Sequence, residues 1–340
     1  MTEFSSLGLN EALLKGSAAL GFTTPTPIQT QAIPALLEST GDFVILAGTG
    51  TGKTAAFGLP LLQKLEAGTH APQALILSPT RELCCQIASD LTKFAAFLPK
   101  VSICAIYGGA SMGTQIRDLK RNPQIIVATP GRLIDHLGRG TVDLSAIRSL
   151  ILDEADEMLS MGFREELENI LAGTPAEKQT CLFSATMPGT IRTITKQYLN
   201  NPVEITALKG DEKDINVEHN YLMVNHRDRF EALRRFIAKQ PEFYGIVFCR
   251  TKDQTRDVAN QLSADGLSTD ALHGDLTQMQ RDYVMQRFRN RIIRILVATD
   301  VAARGIDVND LTHVVHYELP HDAESYVHRS GRTGRAGKAG

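Results

Sequence analysis

The chain has 340 residues, enough for two domains at roughly 150 residues each. It is 43% hydrophobic and 22% charged with a formal net charge of −2. These values exclude a disordered or collagenous chain, and a polycation that coats nucleic acid by bulk charge alone.

No apolar run approaches the roughly 18 residues of a membrane span, and the N-terminus MTEFSSLGLNEALLK lacks the pattern of a signal peptide. The five cysteines, Cys84, Cys85, Cys104, Cys181 and Cys249, are odd in number and lack zinc-site spacing. They read as reduced thiols of a cytoplasmic protein. With 13 Phe, 7 Tyr and no Trp, broad aromatic platforms for stacking bases are disfavoured.

In chain order, short Val- and Ile-rich runs alternate with stretches of helical periodicity. The runs of the first half are Phe43–Leu46, Ala74–Leu77, Ile103–Ile106, Ile125–Ala128, Leu150–Leu152 and Cys181–Phe183. They are too short for core helices and are bounded by turns, so they predict buried strands of a parallel sheet. The second half repeats the scheme with Ile246–Phe248, Ala271–Leu272, Ile292–Ala298 and Val314–Tyr317. Between the halves, the charged stretch near 207–216 predicts a linker. IIVATPGR at 125–132 also echoes ILVATDVAARG at 295–305, which suggests two related α/β domains.

AGTGTGKT at 47–54 follows a strand run and opens a helical stretch, the context a phosphate loop requires. Gly48, Gly50 and Gly52 let the backbone aim amides inward, Thr49 and Thr51 lie between them, and the helix N-terminus adds positive potential. Lys53 is expected to reach the β- and γ-phosphates and Thr54 to ligate Mg²⁺. SLILDEAD at 149–156 supplies the carboxylates at a strand end. Asp153 is expected to hold the metal through water, and Glu154 to polarise the attacking water as general base.

At these residues the sequence resembles the DEAD-box family of ATP-dependent RNA helicases, most closely the bacterial cold-shock DeaD-like type. Asp153-Glu154-Ala155-Asp156 spells the family name, and the remaining signatures follow in order along nearly the whole chain. The resemblance implies two tandem RecA-like domains, each a mostly parallel sheet flanked by helices. Residues 1–207 would be the ATP-binding domain and 208–340 the second, truncated at its C-terminal end. GFTTPTPIQ at 21–29 is similar to the family's adenine-reading segment, with Gln29 on the base edge and Phe22 beside it. Phe4 matches the upstream aromatic that stacks on the base.

The family's RNA-backbone contacts fall on Pro79, Thr80 and Arg81, on Gly108-Gly109, and on Thr129, Pro130 and Arg132. In the second half they fall on Arg250, His273, Gly274 and Thr299. Gly305 and Asp307 match residues facing the nucleotide ribose. Arg332 and Arg335 match the arginine fingers that complete the ATP site, while Ser184, Thr186 and His328 match segments coupling hydrolysis to strand separation. Taken singly, most of these have a plain reading as helix caps, turns or basic loops. Three positions depart from the family pattern: Ser330 for Ile, Gly48 for Gln, and Cys84-Cys85 for Ala.

The resemblance implies a monomeric, cytoplasmic, RNA-dependent ATPase that uses ATP and Mg²⁺. It would grip RNA backbone without regard to sequence and pry apart short duplexes. Two other readings stay open on the sequence: an ATP-gated RNA clamp whose purpose is holding, and a DNA translocase. A small-molecule kinase would share the phosphate loop but has no need of the second arginine motif.

Overall fold

The computed structural model describes residues 3–48, 50–66, 69, 71–207, 217–303, 308, 310–334 and 340. The chain divides into two compact units, Met1–Gly210 and Asp211–Gly340. Most of the expected linker, 208–216, lies outside the described residues.

The first unit carries helices α1 (Glu11–Ala19), α2 (Pro27–Glu38), α3 (Lys53–Lys64), α4 (Arg81–Phe94), α5 (Met112–Leu119), α6 (Pro130–Gly138), α7 (Ala155–Ser160), α8 (Arg164–Ala172) and α9 (Gly189–Tyr198). Its strands are β1 (Phe43–Leu46), β2 (Ala74–Leu77), β3 (Ile103–Ile106), β4 (Ile125–Ala128), β5 (Ser149–Leu152), β6 (Gln179–Ser184) and β7 (Val203–Thr206). They form one sheet in the order β3-β4-β2-β5-β6-β1-β7, and every pairing is parallel. Alternate residues feed two cores. Ile45, Ile76, Val127 and Phe183 enter one, while Val44, Leu46, Leu75, Leu77, Ile126 and Leu182 enter the other. Each fully buried side chain of this kind contributes about 1.5–3 kcal/mol, so covering both faces stabilises the sheet and accounts for the continuous apolar runs.

At the N-terminal edge of the sheet, buried Asp42 accepts the Thr180 amide at 2.6 Å and the Asn200 amide at 2.7 Å. One carboxylate thereby fixes the starts of β1 and β6 and the approach to β7. Sequence reasoning missed β7. Its VEIT residues are mostly exposed, so this edge strand lacks the apolar run that marked the others.

The second unit carries α10 (Arg229–Ala238), β8 (Gly245–Cys249), α11 (Lys252–Ala264), β9 (Thr269–Leu272), α12 (Gln278–Arg289), β10 (Ile295–Thr299), α13 (Asp300–Ala303), β11 (His313–His316) and α14 (Ala323–Ser330). Its four strands run parallel in the order β11-β8-β10-β9. The same alternation sends Ile246, Phe248 and Leu296 to one core and Val247, Cys249 and Val297 to the other. The expected strand over 292–298 begins only at Ile295, because Arg291 turns the chain with φ +56° and Ile292 is exposed. Two parallel sheets flanked by helices match the expected fold class. All five cysteines are unpaired thiols.

Candidate nucleotide and nucleic-acid site

In a parallel α/β sheet, functional groups gather where the strands end. In the first unit, six of the expected signatures follow six strands and therefore share one edge. The phosphate loop follows β1, PTREL follows β2, the glycine pair follows β3, TPGR follows β4, DEAD follows β5 and SAT follows β6. The strand order sorts them further. The neighbours β3, β4 and β2 carry the expected RNA contacts, and the neighbours β5, β6 and β1 carry the expected nucleotide and coupling residues.

Beyond the strand ends, hydrogen bonds continue the ladder. Ala47 N donates to Ser184 O at 3.0 Å, Asp153 N to Leu77 O at 2.9 Å, and Ser78 N to Ala128 O at 3.0 Å. The site residues thus stand on a rigid base.

The phosphate loop ends at Gly52, whose φ of +90° begins α3 without a side-chain cap. The amides of the first helical turn are thereby left to a ligand. The positive φ favours glycine, and a Cβ at Gly52 would lie 2.4 Å from Gln29 Nε2, so a side chain there would have to displace the Gln29 amide. Thr51 Oγ1 donates to Gly48 O at 2.8 Å, and Thr26 Oγ1 donates to Thr51 O at 2.8 Å.

Lys53 exposes 6% of its surface, and its buried Nζ has no hydrogen-bond partner. A buried ammonium left without an acceptor is costly, so the loop is shaped around an anion. Burial pushes the 2%-exposed Asp153 carboxyl up, while the nearby Lys53 charge pulls it back and Glu154 and Asp156 push with burial. Among the described residues no group of three or more His, Cys, Asp and Glu could hold a metal. A cation held by Thr54 and Asp153 fits only if phosphate and water complete its shell, the usual arrangement for Mg²⁺.

Glu154 adopts φ +52° as it starts α7, a left-handed conformation that a non-glycine residue holds at a cost. The turn delivers two buried carboxylates from successive residues, Asp153 and Glu154.

Sequence reasoning named Asp156 in the tetrad but gave it no role. Its Oδ2 accepts the Ala185 amide at 3.1 Å, the Thr186 amide at 3.0 Å and the Thr186 hydroxyl at 2.9 Å. Ser184 Oγ in turn donates to Thr186 O at 2.7 Å. The segment after β5 is therefore bonded directly to the segment after β6. Asp156 is visible as the third carboxylate of the tetrad, but nothing in the sequence shows its partner.

Two expectations on the adenine side meet a different environment. Gln29 is buried and spends both amide functions inside the protein: Oε1 accepts the Thr26 amide at 2.9 Å, and Nε2 donates to Gly52 O at 3.2 Å. It closes a capping box on α2 and tethers the phosphate loop. One Nε2 hydrogen and one Oε1 lone pair remain for a base edge. Phe4, 6% exposed, is a core residue and not an open platform. It packs edge-on against Phe22 at 6.0 Å, and Phe22 packs against Phe94 at 5.7 Å.

On the other half of the edge, Thr80 caps α4 through Leu83 N, and the Arg81 guanidinium lies 4.8 Å from the Tyr107 ring centre. Pro79 is buried, whereas Gly109 is exposed with φ +80°. Thr129 and Pro130 start α6 without a side-chain cap from Thr129. Arg132 is partly committed internally, its Nη1 donating to Ala110 O at 3.1 Å and to Gln115 Oε1 at 3.0 Å.

In the second unit, Arg250 follows the end of β8, His273 and Gly274 follow that of β9, and Thr299 is the last residue of β10. Arg250 lies 3.4 Å from Glu318. His273 is buried with an unpartnered Nδ1, and burial lowers its pKa. Arg332 is buried and His328 half-buried. The expected residues Thr49, Gly305, Asp307 and Arg335 lie outside the described residues.

A second residue to which sequence reasoning gave no role is Arg329. It forks onto Asp300 at 2.5 and 2.6 Å, donates to Glu318 O at 2.8 Å and lies over the Phe248 ring. It braces α14 against the start of α13.

The DEAD/DEAH box helicase profile matches residues 26–194, and the helicase conserved C-terminal domain profile matches residues 228–337. The chain is 47% identical over its full length to the DEAD-box ATP-dependent RNA helicase CshA of Geobacillus kaustophilus, of which it covers 72%. It is 47% identical, over 99% of its length, to the ATP-dependent RNA helicase DeaD of Mycobacterium tuberculosis, of which it covers 59%. Among solved structures, S. cerevisiae Dbp5 bound to RNA and ADP BeF3 is similar at 32% identity and TM-score 0.88, over 100% of this chain and 88% of that one. A DEAD box protein from Methanococcus jannaschii is 45% identical with TM-score 0.60, over 100% of this chain and 92% of that one.

Proposed function

The chain belongs to the DEAD/DEAH box helicase family, and from that premise we propose that it works as an ATP-dependent RNA helicase. The observation that carries the reading is the buried Lys53 ammonium, without a hydrogen-bond partner, in an uncapped glycine cradle beside Asp153 and Glu154.

ATP binds with its β- and γ-phosphates on Lys53 and on the amides of the 48–54 loop, Thr49 included. Gln29 and Phe22 face the adenine, with Phe4 packed behind Phe22 and Gln29 offering the base edge its second amide hydrogen and second oxygen lone pair. A magnesium ion carried by Thr54 and Asp153 supplies neutralising charge to the phosphates. Glu154 orients and deprotonates the attacking water. Arg332 and Arg335 stabilise charge developing on the γ-phosphoryl oxygens, which a guanidinium matches bidentately. Gly305 and Asp307 face the ribose.

RNA lies along the backbone-reading residues: Pro79, Thr80, Arg81, Gly109, Thr129, Pro130 and Arg132, continuing to Arg250, His273, Gly274 and Thr299. These are phosphate and sugar contacts, so binding is indifferent to sequence, and discrimination against DNA comes from 2′-hydroxyls. Ser184, Thr186 and His328 couple hydrolysis to local strand separation. The protein acts as a monomer in the cytoplasm, a reading supported by its unpaired cysteines. No described helix is long and apolar enough to cross a membrane.

The test is steady-state ATPase with single-stranded RNA, with single-stranded DNA and with neither, alongside unwinding of a short RNA duplex. RNA-specific stimulation together with unwinding is expected. Equal stimulation by DNA marks a DNA translocase, and stimulation without unwinding marks a holding clamp.

A further inference from the structure

Gln115 sits where three of the expected RNA-contacting segments meet. It lies on α5 and exposes 4% of its surface. Its Oε1 accepts Arg132 Nη1 at 3.0 Å and stands 3.1 Å from His136 Nε2, while its Nε2 donates to Tyr107 O at 2.9 Å. Tyr107 carries the Arg81 guanidinium over its ring and precedes the glycine pair. Arg132 Nη1 also donates to Ala110 O, just after that pair, at 3.1 Å.

The donor and acceptor inventory fixes the orientations. Turning the Gln115 amide over would set NH₂ against the Arg132 guanidinium and oxygen against Tyr107 O, two repulsive contacts. With Oε1 facing His136 Nε2, that ring nitrogen must carry a proton. The wholly buried His136 is held below its usual pKa, by burial first and then by the Arg132 charge, with Arg139 adding and Asp135 opposing. In the neutral ring Nδ1 is then the acceptor, and Thr141 Oγ1 stands 2.8 Å away, its one hydrogen shared between Nδ1 and His136 O at 3.0 Å. Every polar atom of the Gln115 and His136 side chains has a partner.

Both hydrogens of Arg132 Nη1 are consumed, and Nε lies 3.8 Å from Asp135 Oδ2, so the guanidinium is held in one orientation. We propose that Gln115, backed by His136, is a positioning residue for RNA. It sets the Arg132 guanidinium and the 107–110 turn in the geometry that grips phosphates. This rests on the reading of Arg132 as an RNA contact.

A double-mutant cycle tests it. Affinity for fluorescein-labelled single-stranded RNA is measured in the presence of ADP and beryllium fluoride, for wild type, Gln115→Met, Arg132→Ala and the double variant. Gln115→Met is expected to weaken RNA binding about tenfold and to reduce the salt slope by about one, as for a lost phosphate contact. ATP affinity without RNA should change less than twofold. The double variant should bind no worse than Arg132→Ala.

If Arg132→Ala weakens binding but Gln115→Met does not, or if the two losses multiply in the double variant, the positioning role is overturned and the RNA reading stands. If Arg132→Ala binds RNA normally, the RNA reading of Arg132 fails and the proposal fails with it. Should Gln115→Met not fold, the cycle is run with His136→Leu, which removes one bond to Gln115. An expected loss of about threefold that disappears in the Arg132→Ala background supports the proposal, and no loss overturns it.

Discussion

Asp156 Oδ2 accepts the Thr186 hydroxyl at 2.9 Å, and the same oxygen accepts the amides of Ala185 and Thr186. One buried carboxylate therefore bonds the turn carrying Asp153 and Glu154 to the turn after β6. The β6 strand also pairs with β1, the strand that bears the phosphate loop. The acidic turn is thus hydrogen-bonded to the SAT segment, and Ala47 N bonded to Ser184 O extends the link to the loop.

Removing that carboxylate strands two amides and a hydroxyl of the turn after β6, and the Glu157 amide beside it. Asp156→Ala is expected to destabilise the protein by at least about 3 kcal/mol, given roughly 1–3 kcal/mol for each buried group left unsatisfied. Thr186→Val, which deletes a single donor, should cost about 1 kcal/mol. Urea unfolding checks both. Equal, negligible losses would mean that the three bonds contribute nothing.

The phosphate loop depends on Gly52 for two reasons: its φ of +90°, and the Gln29 amide nitrogen, which a Cβ at this position would meet at 2.4 Å. Gly52→Ala is expected to add roughly 1 kcal/mol of backbone strain and to break the Gln29 tether. ATP affinity should fall at least about tenfold, since 1.4 kcal/mol already corresponds to a factor of ten. Titration with a fluorescent ATP analogue reads this, and unchanged affinity would show that the loop does not need that geometry.

His316 gives the second unit a pH signature. It stacks on Tyr326 at 4.6 Å and stands 3.1 Å from Ser330 Oγ. Burial, then the Arg329 charge, holds its pKa down to about 4, with Asp300 opposing and His219 adding, against 6.5 in an unfolded chain. Between those values the unfolded state binds more protons, so stability rises with pH. The contribution is fully present above about 6.5 and is lost as pH falls toward about 4. His316→Phe should flatten the stability profile in that window, measured by denaturant titration at several pH values. An unaltered slope would show that His316 is not its source.

Much of this architecture is legible in the residues themselves. Central strands such as Ala74–Leu77 and Ile125–Ala128 are buried on both faces, so their apolar runs announce them. Edge strand β7 has no such run and stayed hidden. In the candidate site, Lys53, Asp153 and Glu154 are visible because spacing and residue type carry the chemistry. The second assignments of Gln29 and Arg132 are not visible. Each depends on a partner brought close only by the sheet: Gly52 O for Gln29, and Ala110 O with Gln115 for Arg132. The roles of Asp156 and Arg329 were missed for the same reason, since they lie wholly in tertiary hydrogen bonds.

The central claim is that Glu154, raised on its left-handed turn beside Asp153, activates water against ATP when RNA is bound. The most direct measurement is RNA-stimulated ATP turnover by Glu154→Gln, with ATP and RNA affinities measured in parallel. Turnover is expected to fall by at least about 100-fold, the usual contribution of a positioned general base, with both affinities preserved. Turnover at the wild-type rate would contradict the claim.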